Sequence, residues 1–335
     1  MPERLPVAVV GAGHLGTYHA RILAEHPACE LGWVVDADPR RAEQLAGELG
    51  CAALTRASDL PAELAAASVA VPTIHHAEVA VPLLERGVAC LVEKPLAATL
   101  EEADRMIAAG RRGGAALSVG HVERFQPGLR KVRELGLRPR FIECHRLAPF
   151  SFRSMDIGVV HDLMIHDLDL ILDLMGGEVE SLDAAGGKIL TDSEDMASVR
   201  LVFADGGRAN VTASRASLSP MRRFRMFSAD SYVSLDFHKN YGLMVGKGPR
   251  WDEGRAELKT LSPEELARRG DFVEKELLRI VELPLEGTER PLQAEIDAFV
   301  RAVRDGRPPE VSGEDGRRAL ELADRIVAQM QRQAW

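Results

Sequence analysis

The sequence has few cysteines, and their arrangement suits neither a metal site nor a disulfide framework. The four cysteines, at positions 29, 51, 90 and 144, lie far apart, and no two of them form a Cys-x-x-Cys pair. Such sites depend on closely and regularly spaced cysteines. We therefore expect no metal, and we expect a reducing compartment, which we take to be the cytoplasm.

Long apolar stretches and an excess of positive charge are also missing. The first ten residues, MPERLPVAVV, lack the apolar segment of a signal peptide. Nowhere do about 18 apolar residues follow one another, as a membrane-spanning helix requires. The formal net charge is −9, a sign that suits neither nucleic acid nor an anionic membrane. We therefore predict that the chain crosses no membrane and binds no nucleic acid.

What is present suffices for two globular domains. The chain has 335 residues, of which 46% are hydrophobic and 28% charged. Its first part alternates between apolar runs and helical stretches, which predicts a parallel, doubly wound sheet with ligands at the carboxyl ends of the strands. The candidate strands are residues 7–10, LGWVVDAD, residues 52–54, SVAVPT, VACLV and AALSVGH.

A glycine motif follows the first apolar run. Gly11-x-Gly13-x-x-Gly16 opens a helical stretch, and the next candidate strand ends in Asp36. This context is typical of a dinucleotide site. Gly11 permits a tight turn, Gly13 lets the backbone approach a pyrophosphate, and Gly16 permits close packing of the helix on the strand.

The residues around this motif indicate which cofactor binds. The N–H groups at His14 and Leu15 lie at the positive end of a helix dipole and suit phosphates. Asp36 is placed to accept hydrogen bonds from the adenosine ribose hydroxyls and would repel a 2′-phosphate, which favours NAD over NADP. Arg40 and Arg41 weaken that preference. A site for S-adenosylmethionine is the alternative for such a turn.

After about Gln126 the alternation stops. The stretches ASVRLVFADGGRANVTASR and RRFRMFSADSYVSLDF alternate with period two, which predicts a large, mostly antiparallel sheet with one open face, flanked by helices. Two helices close the chain, and the first has an apolar stripe. We expect domains at 1–123 and 124–335, both of the α/β class. The stripe consists of Ile296, Phe299, Val300 and Val303.

The stretch VVHDLMIHDLDLILDLMGG is typical of a helix that ends at two glycines. One stripe of it is polar, with Asp162, His166, Asp169 and Asp173 at helical spacing. Asp162 and His166 are four residues apart, so the carboxylate can fix the imidazole tautomer of an acid/base pair. A solvated face and a metal site are the alternatives. Asp167 falls on the apolar side and needs a partner if it is buried.

Five stretches resemble, in this order, the motifs of the glucose-fructose oxidoreductase, inositol dehydrogenase and rhizopine-catabolism (Gfo/Idh/MocA) oxidoreductase family. They are VAVVGAGHLGTYHARIL, AVPTIHHAEVA, VEKPLA, VGHVERFQP and GVVHDLMIHDLDL, and the resemblance extends to PPEVSGEDGRRALELADRI. It implies a Rossmann domain and an α/β domain whose open sheet forms homodimers or homotetramers. It also implies an enzyme that oxidises a sugar hydroxyl to a ketone with NAD.

The same resemblance implies roles for individual residues. The family's Glu-Lys-Pro motif matches Glu93-Lys94-Pro95, in which the lysine reaches the reacting hydroxyl and the nicotinamide. In the family the peptide bond before the proline is often cis, which aims the lysine. Its Asp-x-x-x-His motif matches Asp162 and His166, which complete a catalytic, substrate-binding set with Lys94. The implied cofactor contacts are Pro72, Thr73, His76, Glu93, Lys94, Gly120 and His121. For His76, a hydrogen-bonded structural histidine is an equal alternative.

The stretch RFIECHRLAPFSFRSMDIGVVHDLMIHDLD is most similar to a bacterial branch that oxidises the 3-hydroxyl of UDP-N-acetylglucosamine, whose product is aminated for lipid A. Arg146 and Arg153 are candidates to hold a substrate pyrophosphate, and Arg124 is a further candidate contact. Structural roles are the alternative for all three. We expect the arginines of MRRFRMF on a solvated strand face. A dehydrogenase of a free polyol or simple sugar, and a non-catalytic NAD-binding sensor, remain alternative functions.

Overall fold

A six-stranded parallel sheet forms the first part of the computed structural model, which describes residues 4–151, 157–268, 273–283, 285 and 290–332. The strands are β1 (Leu5–Val10), β2 (Cys29–Val35), β3 (Ala52–Leu54), β4 (Ala66–Val69), β5 (Ala89–Glu93) and β6 (Leu117–Gly120). Their order, β3-β2-β1-β4-β5-β6, reverses between β1 and β4, and neighbours are parallel. The predicted doubly wound sheet is confirmed, with its switch point at the ends of β1 and β4.

Helices connect these strands, and turn chemistry sets their ends. They are α1 (His14–Glu25), α2 (Pro39–Leu49), α3 (His76–Glu85) and α4 (Leu100–Gly113), with single 3₁₀ turns at Ala57–Asp59, Thr73–His75 and Val122–Phe125. A capping box begins α4. The N–H of Glu102 donates to the Thr99 hydroxyl at 3.2 Å, and the Glu102 carboxylate accepts the N–H of Ala98 at 3.2 Å.

The middle of the chain builds a second, larger sheet. Its strands are β7 (Phe141–Leu147), β8 (Val179–Gly187), β9 (Met196–Phe203), β10 (Arg208–Ser214), β11 (Met221–Phe227), β12 (Ser231–Asp236), β13 (Tyr241–Lys247) and β14 (Leu278–Leu283). They run in the order β14-β13-β12-β11-β7-β10-β9-β8, and β7 and β10 are parallel whereas the other neighbours are antiparallel. One face is buried and the other half-exposed, as predicted.

Further helices flank this sheet and close the chain. They are α5 (Pro127–Glu134), α6 (Ile165–Met175, preceded by a π turn at Val160–Met164), α7 (Trp251–Leu258), α8 (Pro263–Arg268), α9 (Pro291–Asp305) and α10 (Gly313–Arg332), with a second π turn at Val273–Leu277. Ser312 caps α10 through Asp315: each side chain accepts the other residue's backbone N–H, at 2.9 and 3.1 Å. Among the described residues, no helix is long and apolar enough to cross a membrane.

The chain divides into two units differently from the expected domains. One unit comprises Met1–Phe125 and Glu289–Asp324, and the other Gln126–Thr288 and Arg325–Trp335. The sequence analysis placed all of 124–335 in the second domain. The physical reason for the difference is the apolar stripe of α9, whose Phe299 joins the buried cluster of Val9 on β1 and Leu23 on α1. The helix therefore completes the core of the first unit.

The arginines of MRRFRMF do not share one solvated face. Arg223 and Arg225 lie on the half-exposed face of β11, where they pair with Asp236 and Glu143, each at 3.1 Å. Arg222 alternates to the face of the buried Phe224 and is itself half-buried. The expectation of a solvated face was wrong for Arg222, and burial lowers the pKa of that guanidinium to about 10.

Candidate functional site

The glycine motif forms the predicted turn between β1 and α1. Gly11 has a φ of +102°, and a Cβ on it would come within 2.5 Å of the Ala70 carbonyl oxygen. A Cβ on Gly16 would overlap the Gly11 carbonyl, whereas a Cβ on Gly13 would meet nothing within 4 Å. Gly13 therefore leaves open space at the N-terminus of α1, where N–H groups and the helix dipole favour an anion.

Asp36 follows β2 and holds this turn. One oxygen of its carboxylate accepts the N–H of Ala12 at 2.7 Å, and the other accepts the N–H of Asp38 at 2.9 Å. A cleft of ≈ 1010 Å³ opens beside it. Its lining includes the predicted residues Gly11, Gly13, Leu15, Asp36 and Pro72, and also Arg41, which bears on the choice between NAD and NADP. It further includes residues that no sequence motif indicated: Thr55, Arg56, Ser58, His75, Glu78 and Arg86.

The shape and chemistry of this cleft fit a dinucleotide. The residues that line it include the open glycine turn, the carboxylate after the second strand and apolar groups such as Val71 and Val79. Arg41 lies 3.7 Å from Asp38, so a cation is also present at the ribose end. His14 lines an adjoining groove of ≈ 500 Å³ rather than the main cleft.

The Glu-Lys-Pro motif forms a turn at the carboxyl end of β5. The Lys94–Pro95 peptide is cis. Glu93 is only 8% exposed, and its carboxylate accepts the backbone N–H of Lys94 at 3.2 Å. Its other oxygen lies 3.0 Å from Nε2 of His19, a buried residue of α1 that the sequence analysis did not single out.

His76 and Gly120 contact this turn from other elements. His76 is 1% exposed, and its Nδ1 lies 3.0 Å from the Pro95 carbonyl and 3.2 Å from the Leu96 carbonyl. Its Nε2 lies 2.9 Å from the Val71 carbonyl, and burial lowers its pKa. These contacts favour the structural alternative for His76. Gly120 pairs with Glu93 in the sheet, and a Cβ on Gly120 would lie 3.1 Å from the Glu93 carboxylate.

His121 and Arg124, which were predicted near the nicotinamide and the substrate, are buried in the first unit. His121 has no exposed surface, and its backbone N–H donates to the Val119 carbonyl at 2.8 Å. Arg124 is 5% exposed, and its guanidinium lies 3.6 Å from the Asp315 carboxylate of α10. Thr73 begins a 3₁₀ turn after Pro72. The pairing of Arg124 favours its structural alternative.

In the second unit, Asp162 and His166 lie at the start of one helix. Asp162 belongs to the π turn and His166 to the first turn of α6, and both are partly exposed. The N–H of Ile165 donates to the Val160 carbonyl, which is the five-residue spacing of a π turn. A π turn is wider than an α turn and recurs at functional sites.

The polar stripe of this helix is not a solvated face. Asp169 has no exposed surface, and Asp173 forms an ion pair with Arg133. Asp167 is 4% exposed and has the partner that its burial requires: the Arg146 guanidinium donates to its two oxygens at 2.7 and 2.8 Å. Among the described residues, no cluster of His, Cys, Asp or Glu could hold a metal.

This pairing changes the interpretation of Arg146. Burial lowers the pKa of the guanidinium, but Asp167 more than offsets that effect and raises it. Two N–H groups of Arg146 are used in joining β7 to α6, so its position favours the structural alternative over a substrate clamp. Arg153 lies outside the described residues.

Residues from two loops fix the start of the π turn. The Glu194 carbonyl accepts the N–H of Val159 at 2.9 Å, and its carboxylate accepts the N–H of Val160 at 3.3 Å. Arg215 donates to the Ile157 carbonyl at 2.6 Å and to Asp195 at 2.7 Å. Burial raises the pKa of Asp195, but hydrogen bonds from three backbone N–H groups and Arg215 reverse this and lower it. No motif in the sequence predicted these contacts of Glu194, Asp195 and Arg215.

Comparisons with known proteins agree with this geometry. Residues 5–121 match the oxidoreductase family with an NAD-binding Rossmann fold, and residues 137–230 match the GFO/IDH/MocA C-terminal domain. The chain is 37% identical over 316 residues, 94% of each chain, to a UDP-N-acetylglucosamine 3-dehydrogenase of Acidithiobacillus ferrooxidans. The chain belongs to the Gfo/Idh/MocA oxidoreductase family.

Other relatives show how widely this fold is used. A solved UDP-N-acetylglucosamine 3-dehydrogenase from Acidithiobacillus ferrooxidans superposes with a TM-score of 0.86 at 35% identity, over 98% of either chain. A myo-inositol 2-dehydrogenase of Thermotoga maritima is 27% identical, over 94% of this chain and 93% of the other. A levoglucosan dehydrogenase solved with NADH and levoglucosan shares the fold, with a TM-score of 0.81 at 19% identity. As a member of the family, the protein is an oxidoreductase with an NAD-binding Rossmann domain.

The Arg146–Asp167 contact predicts a stability difference between two aspartates of α6. Asp167→Asn should lower the free energy of unfolding by about 3 kcal/mol, because it leaves a buried guanidinium without its counter-charge. Asp173→Asn, which weakens a half-exposed pair with Arg133, should cost about 1 kcal/mol or less. Urea unfolding followed by circular dichroism measures both. Equal losses would contradict a structural role for Arg146.

Proposed function

We propose that the protein is an NAD-dependent dehydrogenase that oxidises the 3-hydroxyl of UDP-N-acetylglucosamine to a ketone. The observation that carries the proposal is the 37% identity, along 94% of both chains, to an enzyme with that activity. The fold alone would not choose a substrate, since the relatives include inositol dehydrogenases. We place the reaction in the cytoplasm, before an amination that leads to the diamino sugar of lipid A.

NAD is the proposed cofactor, and the first unit holds it. The turn at Gly11 and Gly13 and the N-terminus of α1 would bind the pyrophosphate, and Asp36 would accept the ribose hydroxyls. Asp36 disfavours a 2′-phosphate, although Arg41 lines the same cleft. When bound, the nicotinamide supplies the hydride acceptor.

We assign the proton and the charge to three side chains. His166 takes the proton of the substrate hydroxyl as general base. Lys94 donates a hydrogen bond to the same oxygen and stabilises the negative charge that develops on it. Asp162 orients the His166 ring. These roles follow the family motifs that the two residue sets match.

The substrate diphosphate needs cationic partners. Arg153 remains our candidate for this role, because it follows β7 in the stretch most similar to the nucleotide-sugar branch. Arg146 we assign to the support of α6 through Asp167, and Arg124 to the core of the first unit through Asp315.

The first experiment is a substrate panel. Purified protein is mixed with NAD or NADP and with UDP-N-acetylglucosamine, other UDP-sugars, myo-inositol or glucose, and reduced nicotinamide is followed at 340 nm. We expect a signal with NAD and UDP-N-acetylglucosamine, as a stoichiometric burst if the ketone accumulates. Activity confined to myo-inositol or glucose would replace the proposed substrate. Silence across the panel with NAD binding intact would favour a sensor.

Two substitutions test the assigned chemistry. Lys94→Ala and His166→Ala should each lower turnover by roughly 10² or more, the scale of a positioned acid/base group. His238→Ala, which truncates an exposed histidine, serves as control and should keep full turnover. Retained turnover in both active-site variants would overturn the assignment.

We propose further that the second sheet pairs two copies of the chain. On its half-exposed face, one row of apolar side chains crosses five adjacent strands in register: Phe141, Phe227, Tyr232, Val245 and Ile280. The rings of Phe227 and Tyr232 lie 4.9 Å apart, and Ile280 is 47% exposed. Apolar surface of this extent is typically covered by a partner.

Charge in the middle of this row should separate the copies. Light scattering after gel filtration should give the mass of a dimer or tetramer for the wild-type chain and of a monomer for Phe227→Asp, because a carboxylate would be buried in the interface. Lys239→Asp, at an exposed position, is the control for added negative charge. A monomeric wild-type chain would contradict the proposal.

A further inference from the structure

Three buried polar side chains lie in a row beneath α1, the first helix of the Rossmann unit. Nδ1 of His19 lies 2.7 Å from the Ser68 hydroxyl, and Nε2 lies 3.0 Å from Oε1 of Glu93. His19 is 0% exposed, Ser68 1% and Glu93 8%. The three residues come from α1, β4 and β5, so this contact joins three elements of the unit.

The strands explain why polar groups meet here. Side chains alternate along a strand, so Ser68 shares a face with Ala66, and Glu93 shares a face with Leu91. Ala66 and Leu91 belong to the apolar cluster that packs against α1. Ser68 and Glu93 thus occupy the carboxyl-end positions of a face that is otherwise apolar. Buried polar groups at such positions need partners, and His19 has a ring nitrogen beside each of them.

The charge of Glu93 determines which ring nitrogen of His19 carries a proton. Burial raises the pKa of Glu93, but His19 and Lys94 reverse that effect, so the pKa lies below its usual value and the side chain is a carboxylate. A carboxylate only accepts hydrogen bonds. We therefore assign a proton to Nε2 of His19, which lies 3.0 Å from the Glu93 carboxylate, while Nδ1 lies 2.7 Å from the Ser68 hydroxyl.

A serine, a histidine and a carboxylate in contact also form the catalytic triad of hydrolases, but Ser68, His19 and Glu93 are not placed as such a triad requires. A hydrolytic serine must reach its substrate. Ser68 lies inside β4, between β1 and β5, and is 1% exposed. Ser68 is therefore not the nucleophile of a hydrolase, and the role of these three residues lies in the groups that they contact.

Glu93, the last of these three buried polar residues, contacts the lysine turn. Oε2 of Glu93 accepts the backbone N–H of Lys94 at 3.2 Å. On the other side of the same turn, His76 contacts the carbonyl oxygens of Pro95 and Leu96. Gly120 leaves the space that the Glu93 carboxylate fills. The backbone at Lys94 is thus held from both sides.

We propose that His19 is a positioning residue for the dehydrogenase reaction: by holding Glu93 it fixes the turn from which Lys94 acts. This inference rests on the proposed function, in which Lys94 stabilises the charge on the substrate oxygen. Because α1 also begins at the glycine turn, one helix sets both the phosphate end of the cofactor site and the direction of Lys94. Small displacements of a catalytic group can cost large factors in rate.

A pair of amides at position 19 separates the contact with Glu93 from the contact with Ser68. Gln places its amide nitrogen near the position of Nε2, so His19→Gln keeps a donor for Glu93. Asn places its amide near Nδ1, so His19→Asn keeps the contact with Ser68 and loses Glu93. We expect His19→Asn to lower kcat about 10- to 100-fold. The Kd for NAD, measured by quenching of tryptophan fluorescence, and KM should change by less than about 3-fold, and His19→Gln should restore most of kcat.

A double-mutant cycle tests whether His19 acts through Glu93. Glu93→Gln alone should lower kcat, and adding His19→Asn should lower it little further, because both changes remove the same link. Additive losses would overturn the inference, as would a loss of NAD affinity that matches the loss of kcat. If His19→Asn does not fold, Ser68→Ala takes its place in the same cycle with the same criteria.

Two controls complete the design. His26→Asn breaks a comparable contact at the other end of α1, where Nε2 lies 3.1 Å from Asp297, and it should lower the melting temperature without lowering kcat. An equal loss of kcat in His26→Asn would show a general effect of α1 and overturn the specific role. Lys94→Ala separates the two hypotheses: an inactive Lys94→Ala with a fully active His19→Asn overturns this inference alone, whereas an active Lys94→Ala overturns the proposed function as well.

Discussion

A carboxylate at the end of a fully buried strand has to be compensated where it lies, and much of the candidate site follows from that constraint. An isolated buried charge costs several kcal/mol, so Glu93 is stable only with donors on both oxygens. The backbone N–H of Lys94 donates to one oxygen, and Nε2 of His19 lies 3.0 Å from the other. The neighbouring strand supplies Gly120, because a side chain there would crowd the carboxylate. The compensation of Glu93 and the orientation of the lysine turn are therefore the same set of contacts.

The second unit follows the same rule with other residues. The helix of Asp162 and His166 is joined to its sheet by the buried pair of Arg146 and Asp167. Its first turn is held by Arg215, which is itself paired with the buried Asp195. Buried pairs are poor sources of net stability but strongly penalise any displacement of one partner. They thus fix the direction of the helix that holds Asp162 and His166.

The sequence was informative where one local motif determines one local structure. The glycine turn, Asp36 after β2 and the lysine turn after β5 lie where their motifs predict, because strand ends and helix starts are set by neighbouring residues. Contacts between distant residues were not visible in this way. His19 lies 49 residues from Ser68, and no spacing rule joins a helix to two strands. Strand parity was the available signal, since it places Ser68 and Glu93 beneath the same helix.

Arg146 shows why a motif can identify a stretch correctly and still leave a residue's role undetermined. Its position in the stretch that resembles the nucleotide-sugar branch suggested a phosphate ligand, and Asp167 suggested a need for a partner. Each observation was correct, but only the folded structure shows that β7 lies against α6 and that Arg146 is the partner of Asp167.

The same contact bears on how substrates are distinguished in this fold. Proteins that share it at 19% to 37% identity are named for levoglucosan, inositol and a nucleotide sugar. All of these substrates carry hydroxyl groups, so a base and a hydrogen-bond donor for a hydroxyl do not by themselves distinguish one sugar from another. A diphosphate differs from the other substrates by its charge. Under the proposed function, recognition of the diphosphate therefore requires cations that no buried carboxylate already engages, and the pairing with Asp167 makes Arg146 a poor candidate.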